Sequence, residues 1–362
     1  MNISTAFWKD KKVLVTGHTG FKGSWLTLWL NMLGAKVVGL SEKSLGKNSL
    51  YISAELQSLT ENKSYELSEF NNILDVNSLV TVIERFQPEI VFHLAAQPLV
   101  ISSYKLPSLT YHTNVVGTLN ILEASQLSKS LKVIISVTTD KVYHNTNQAS
   151  GYVENDKLGG LDPYSASKAC ADMLTQSHYA SFMKNLGVGV APVRAGNVIG
   201  GGDWSENRLV PDIFRSVQNG DVLKLRHPQA TRPWQHVLEP LSGYMLLAER
   251  LYNEPERFSV PFNFGPTLTD VLSVEQVVEI FSKGLDRPLA VEYEHGTPFH
   301  EADKLSLDCD FAKAVLGWVP RWDANRAIAR TLDWYKKFLL DGDIKDITIK
   351  QILDYSEDHQ KI

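Results

Sequence analysis

Seven consecutive residues constrain this chain more than any others: Gly17-His18-Thr19-Gly20-Phe21-Lys22-Gly23. An apolar run, Lys11–Thr16, leads into them and reads as a buried parallel strand. After them, Trp25, Leu26, Trp29, Leu30 and Leu33 recur at helical spacing, with Gly34 placed to end the helix. A glycine turn between a strand and a helix is the context of a dinucleotide-binding fingerprint. Gly17 permits the tight turn, Gly20 lets the backbone approach a pyrophosphate, and Gly23 lets the helix pack close to the sheet. Free N–H groups of the turn, through Phe21 and Lys22, and the positive end of the helix dipole then face the phosphates. A phosphate-binding P-loop needs Gly-Lys-Ser/Thr, whereas Lys22 here precedes Gly23.

The rest of the first half repeats the strand–helix alternation. Strands are expected at Lys36–Leu40, Glu89–Ala95, Lys132–Thr138 and Val188–Val193, with a short strand end at Ile73–Asp75. Helices are expected over Ser78–Phe86, Ser108–Leu127, Tyr164–Asn185 and Glu239–Leu251. Such alternation predicts an α/β fold, a doubly wound parallel Rossmann sheet. At 362 residues there is chain for about two domains. Past residue 195 the segments become shorter, more polar and proline-punctuated, which predicts a smaller, discontinuous α/β substrate domain. The expected division is 1–193 plus about 236–264 for the dinucleotide domain, about 194–235 and 265–340 for the other, and 341–362 as a peripheral tail.

Composition narrows the partners. A formal net charge of -5 argues against a nucleic-acid partner. Two cysteines, Cys170 and Cys309, exclude a disulfide scaffold. The opening MNISTAFWKDKK lacks the apolar run of a signal peptide, and no apolar stretch is long enough to span a membrane, so a cytoplasmic location is expected. Scattered histidines with no HExxH or close Cys/His cluster indicate no metal site.

Two further strings carry chemistry. Tyr164-Ser165-Ala166-Ser167-Lys168 places a phenol and an ammonium one helical turn apart. The cation favours the phenolate, so Tyr164 is suited to take a proton from an alcohol while Lys168 supports it. Thr138-Thr139-Asp140-Lys141 lies at the carboxyl end of a strand, where open α/β sheets bind ligands. Cofactor choice is less direct. Ser41 stands where an acid usually holds the ribose hydroxyls, and Lys43 would suit a 2′-phosphate. Asp75 reads equally as an acceptor for an adenine amino group and as a helix N-cap.

With these residues in hand, the chain resembles the extended short-chain dehydrogenase/reductases, in their nucleotide-sugar branch. The matching strings are VTGHTGFKGSWL at 15–26, HLAAQPLV at 93–100, TTDKVY at 138–143, DPYSASKA at 162–169, RAGNVIGGGDW at 194–204, RPWQHVLEPLSGY at 232–244 and HEA at 300–302. The first and fourth strings are shared across the family, whereas the Asp140-Lys141 pair, GGGDW and RPWQHVLEPLSGY are much more specific to the branch that acts on CDP-D-glucose. The resemblance implies an NAD-dependent 4,6-dehydration giving CDP-4-dehydro-6-deoxy-D-glucose. Leu94, Ala95 and Ala96 would then border the cofactor. Thr139 and Tyr164 would hold the C4 hydroxyl, Asp140 would protonate the departing C6 hydroxyl, and Lys141 would act as the C5 base or as an electrostatic stabiliser. For the nucleotide sugar it implies Asn197, Arg208, Lys224, Arg232, His300 and Glu301. It also implies a homodimer, or a tetramer, formed through helices 108–127 and 164–185, with Leu122, Met173 and Phe182 beyond one apolar stripe. Alternatives are another NDP-sugar 4,6-dehydratase, a 4-epimerase, or a non-catalytic dinucleotide-sensing protein.

Overall fold

Five short runs that are apolar on both faces pair side by side: β1 (Lys12–Thr16), β2 (Lys36–Leu40), β3 (Ile90–His93), β4 (Val133–Val137) and β5 (Gly189–Arg194). Phe262–Asn263 adds a sixth strand beside β5, and every pairing is parallel. The spatial order is Phe262–Asn263, β5, β4, β3, β1, β2. This arrangement is seen in a computed structural model that describes residues 3–42, 46, 48–59, 72–148, 150–285, 287–293 and 305–358.

Alternation along the strands divides the core in two. Val13, Val15, Phe92 and Ile135 face a layer that includes Trp25, Trp29, Leu241 and Met245. Leu14, Val91, Ile134 and Val190 face Leu79, Ile83, Ile121 and Met183 on the other side. Burial on both faces explains why these strands read as continuous apolar runs. From β1 the chain runs outward to β2, while β3 lies on its opposite flank, so the order reverses between β1 and β3. Ligand crevices open at such a reversal, beyond the carboxyl ends of the strands.

Later segments form three small strand pairs above that end. Val198–Ile199 pairs with Gln235–His236, Leu223–Leu225 with Val291–Tyr293, and Thr231–Arg232 with Leu272–Ser273. The helices Leu209–Asn219 and Val274–Gly284 accompany them. The intervening helix Leu238–Asn253 packs against β4 and β5 instead.

Two expectations fail. Ile73–Asp75 is a turn, not a strand end: Leu74 N donates to Asn72 Oδ1 at 2.9 Å, and Asp75 caps the helix Val76–Phe86. Short polar side chains there bond the local backbone in place of a ladder. The segment after Leu340 is no peripheral tail. Its helix, Ile344–Glu357, buries Ile352 and Tyr355, and the Tyr355 hydroxyl donates to Glu239 Oε2 at 2.7 Å. Tyr355 also meets Trp29 edge to face, with ring centroids 5.8 Å apart. Among the described residues no helix is long and apolar enough to cross a membrane.

Candidate active site

The glycine turn is shaped by contacts that leave no room for side chains. Gly17 has φ +73°, and a Cβ there would lie 2.8 Å from Ala95 N. A Cβ on Gly23 would lie 2.0 Å from the Gly17 carbonyl oxygen. Gly20 is the N-cap of the helix Phe21–Met32, and no side chain caps it. The first-turn N–H groups are therefore available to an anion, with the helix dipole behind them. Thr16 ties this turn to the exit of β3: its Oγ1 accepts from Ala95 N at 3.2 Å and lies 2.8 Å from His93 Nδ1. Burial lowers His93 to about 3, with the Lys168 charge adding to the effect, so this imidazole is neutral.

A cavity of about 810 Å³ begins at this turn and runs under the late segments. Gly17, Gly20, Phe21, Lys22, Gly23, Leu94, Ala95 and Ala96 line it. Asp75 does not; its carboxylate accepts from Asn77 N, Ser78 N and Ser78 Oγ as a helix cap. At the end of β2, Ser41 is committed to the turn, its Oγ accepting from Thr19 N at 3.3 Å. The carboxylate at that strand end is Glu42, which lines the cavity and accepts from Asn72 Nδ2 at 2.7 Å. It stands one residue past Ser41, the position where the pattern places the acid. Lys43 lies outside the described residues.

The groups expected from the sequence to react lie together where β4 ends. Thr139 starts a single 3₁₀ turn, Asp140–Val142. Its hydroxyl donates to Asp140 Oδ1 at 2.9 Å, and Lys141 Nζ lies 3.7 Å from the same oxygen. Asp140 is fully buried and its Oδ2 has no protein partner. A Cβ on Gly196 would fall only 1.8 Å from that oxygen. Opposite stands the helix Pro163–His178, started by Asp162 as N-cap and Pro163 in its first turn. Burial pushes the Tyr164 phenol up to about 12, while the Thr139 hydroxyl and the Arg208 charge pull it back. Lys168 Nζ donates to the Val137 carbonyl at 2.8 Å. Desolvation lowers Lys168 to about 8, opposed by the charge of Asp172. Lys22 feels the same cluster: desolvation lowers it to about 7, Arg208 and Lys168 lower it further, and Asp140 and Asp203 oppose them.

Thr139, Asp140, Lys141, Tyr164 and Lys168 thus share one cavity with the glycine turn. Asn197, Arg208, Lys224 and Arg232 also line it. Asn197 has φ +44°, and its Oδ1 is buried without a protein partner. Arg208 donates to Asp203 Oδ2 at 2.9 Å and stands near enough to Tyr164 for each to perturb the other. Its nearness to the phenol, rather than to a remote nucleotide pocket, carries no sequence signal. Arg232 Nη1 donates to the Thr231 carbonyl at 2.9 Å. His300 and Glu301 lie outside the described residues. Among the described residues no group of His, Cys, Asp and Glu is placed to hold a metal ion.

Comparison with known proteins identifies the family. The family described as GDP-mannose 4,6 dehydratase matches residues 14–331. A CDP-glucose 4,6-dehydratase of Salmonella typhimurium is 44% identical over 360 residues, 98% of each chain. A dTDP-glucose 4,6-dehydratase of Haemophilus influenzae is 25% identical, over 89% of this chain and 97% of its own. Among solved structures, a UDP-glucose-4-epimerase from Stenotrophomonas maltophila superposes with TM-score 0.77 at 20% identity, over 91% of this chain and 99% of the other. A dTDP-glucose 4,6-dehydratase from Streptomyces venezuelae, with NAD and TYD bound, gives TM-score 0.75 at 23% identity, covering 90% and 97%. The chain belongs to the GDP-mannose 4,6 dehydratase family, in the nucleotide-sugar branch of the short-chain dehydrogenase/reductases.

Proposed function

We propose that this chain is an NAD-dependent hydro-lyase that converts CDP-D-glucose to CDP-4-dehydro-6-deoxy-D-glucose. One observation carries the reading: an alcohol-activating pair, Tyr164 and Lys168, shares a cavity with a carboxyl and an amine, Asp140 and Lys141. Oxidation at C4 alone would need only the first pair. The sugar nucleotide is taken from the relative at 44% identity. NAD is supported by a turn that only glycines can form, an uncapped helix start, and a carboxylate, Glu42, where a 2′-phosphate would be repelled.

The residues divide the work as follows. Tyr164, contacting Thr139, takes the proton of the C4 hydroxyl. Lys168 stabilises the phenolate that would otherwise be unfavourable in so dry a position. Bound NAD supplies hydride storage between C4 and C6. The C4 ketone acidifies the C5 proton, which Lys141 removes; in its charged form Lys141 would instead stabilise the enolate. Asp140 gives its proton to the C6 hydroxyl, which leaves as water. A proton delivered to C5 would complete the residues' part, and with the cofactor unchanged at the end the net change would be loss of one water. Asn197, Arg208, Lys224 and Arg232, which line the cavity, would contact the diphosphate.

The test mixes purified protein with CDP-, dTDP- and UDP-glucose and GDP-mannose and reads the 4-keto-6-deoxy product by its absorbance in alkali. Product from CDP-D-glucose is expected. Absence of product from every sugar refutes the dehydratase, and product from another sugar alone refutes the cytidine assignment.

The protein is also proposed to act as a homodimer. Leu109, Val116, Met173 and Phe182 are 47%, 41%, 50% and 55% exposed on the helical segments 107–125 and 163–186. Leu122 is not part of this surface, being buried against the sheet. Apolar side chains shared by two neighbouring helices suit a self-complementary contact. Sedimentation should give about twice the 40.5 kDa chain mass; a monomer alone refutes it.

A further inference from the structure

Beneath the catalytic groups lies an ion pair with no part in the steps above. Asp172 follows Lys168 by one helical turn, on the same face. Arg194, at the end of β5, grips it at both oxygens: Nε donates to Oδ2 and Nη2 to Oδ1, each at 2.8 Å. Both side chains are buried. Asp172 Oδ2 also accepts from Thr138 Oγ1 at 3.1 Å, and Oδ1 from Gln176 Nε2 at 2.8 Å. Arg194 Nη1 donates onward to the Tyr143 hydroxyl and to the Glu154 carbonyl, both at 2.8 Å.

A buried pair of this kind is a poor device for stability alone, because well-packed apolar residues do as well or better. Its connections are more informative. Thr138 immediately precedes Thr139-Asp140-Lys141, and Tyr143 follows them by two residues. The pair therefore holds both ends of the reacting segment, and through Asp172 it holds the helix that carries Tyr164 and Lys168. The charged or titratable groups around Lys168 are neutral Tyr164 and Asp172 from its own helix, Lys22 from the glycine-turn helix and neutral His93 from β3. Only Asp172 among them is negative.

We propose that Asp172, locked by Arg194, is a positioning residue that sets the Thr139–Lys141 segment against the Tyr164–Lys168 helix and serves as counter-charge to the Lys168 ammonium. The inference rests on the assignment of those groups as the reacting ones. Asp172→Asn keeps the shape and removes the charge. Lys168 should then lose its proton at lower pH. The alkaline limb of the kcat–pH profile should move toward acid by about one pH unit, with kcat at its plateau reduced about tenfold. Asp172→Glu should bring the limb back. A purely structural role would lower the unfolding temperature and leave the limb in place. If wild-type enzyme is active and folded Asp172→Asn retains both the limb and kcat within threefold, this inference is overturned while the dehydratase assignment stands. Inactive wild-type protein overturns the assignment itself. Should Asp172→Asn fail to fold, Thr138→Val decides. It cuts one tie and keeps the charge, so kcat should fall about threefold or more with KM and the limb unchanged. An unchanged kcat overturns the proposal.

Discussion

Gly196→Ala offers the sharpest test of Asp140, because one methyl group separates stability from catalysis. The new Cβ would stand 1.8 Å from Asp140 Oδ2 and 2.2 Å from its Cγ, where real contacts stay beyond 3.0 Å. The carboxyl must therefore retreat by more than about 1 Å, and a misplacement of that size costs roughly 10²-fold in rate. That corresponds to about 2.7 kcal/mol of lost transition-state stabilisation. Asp140 is fully buried, so its neighbours must accommodate the displaced carboxyl, and a folding cost of about 1–3 kcal/mol is expected. The assay measures kcat for loss of water from CDP-D-glucose beside the unfolding free energy in urea. The expected result is a kcat lower by about two orders of magnitude in a protein that remains folded at working temperature. A kcat within threefold of wild type would refute the reasoning, by showing that the position of Asp140 does not limit the elimination.

Lys141→Met should suppress solvent-deuterium exchange at C5 by roughly 10²-fold or more, read by NMR of the sugar; exchange at the wild-type rate removes Lys141 as the base. His236 is fully buried, and burial lowers it from the usual 6.5 to about 3, so its stabilising contribution is complete above 6.5 and lost as pH falls toward 3. His236→Gln should therefore flatten the fall in unfolding free energy between pH 6.5 and 4.5 by up to about 1.4 kcal/mol per pH unit, and identical slopes would contradict this.

Much of the sheet was legible because its signals are local. A strand buried on both faces must be a continuous apolar run, and Lys36–Leu40 coincides with β2. The glycine turn and the Tyr164–Lys168 spacing are likewise short-range patterns, tied to one strand exit and one helix face. What escaped was tertiary. The helix Ile344–Glu357 mixes charges among its apolar residues and owes its burial to partners distant in sequence; Tyr355 reaches Glu239 across 116 positions. The approach of Gly196 to Asp140 and of Arg208 to Tyr164 joins segments that no periodicity links. Ile73–Asp75 misled because a short apolar start before a helix resembles a strand end, and only the cap made by Asp75 decides it.

The Trp29–Tyr355 contact also has a bearing on how the chain is made. The helix Phe21–Met32 is synthesised more than 300 residues ahead of the helix Ile344–Glu357 that packs on its Trp29. At about 5–20 residues per second, the early helix waits roughly 16–65 s on the ribosome for its cover. During that time Trp29, only 3% exposed in the finished protein, has no Tyr355 to meet. Nascent chains arrested before residue 344 should therefore be cleaved by protease near the helix Phe21–Met32, and released chains that include Ile344–Glu357 should resist; equal resistance in both would show that the layer around Trp29 closes without that helix. Truncations that remove Ile344–Glu357 should therefore be scored as lesions of the apolar layer around Trp29.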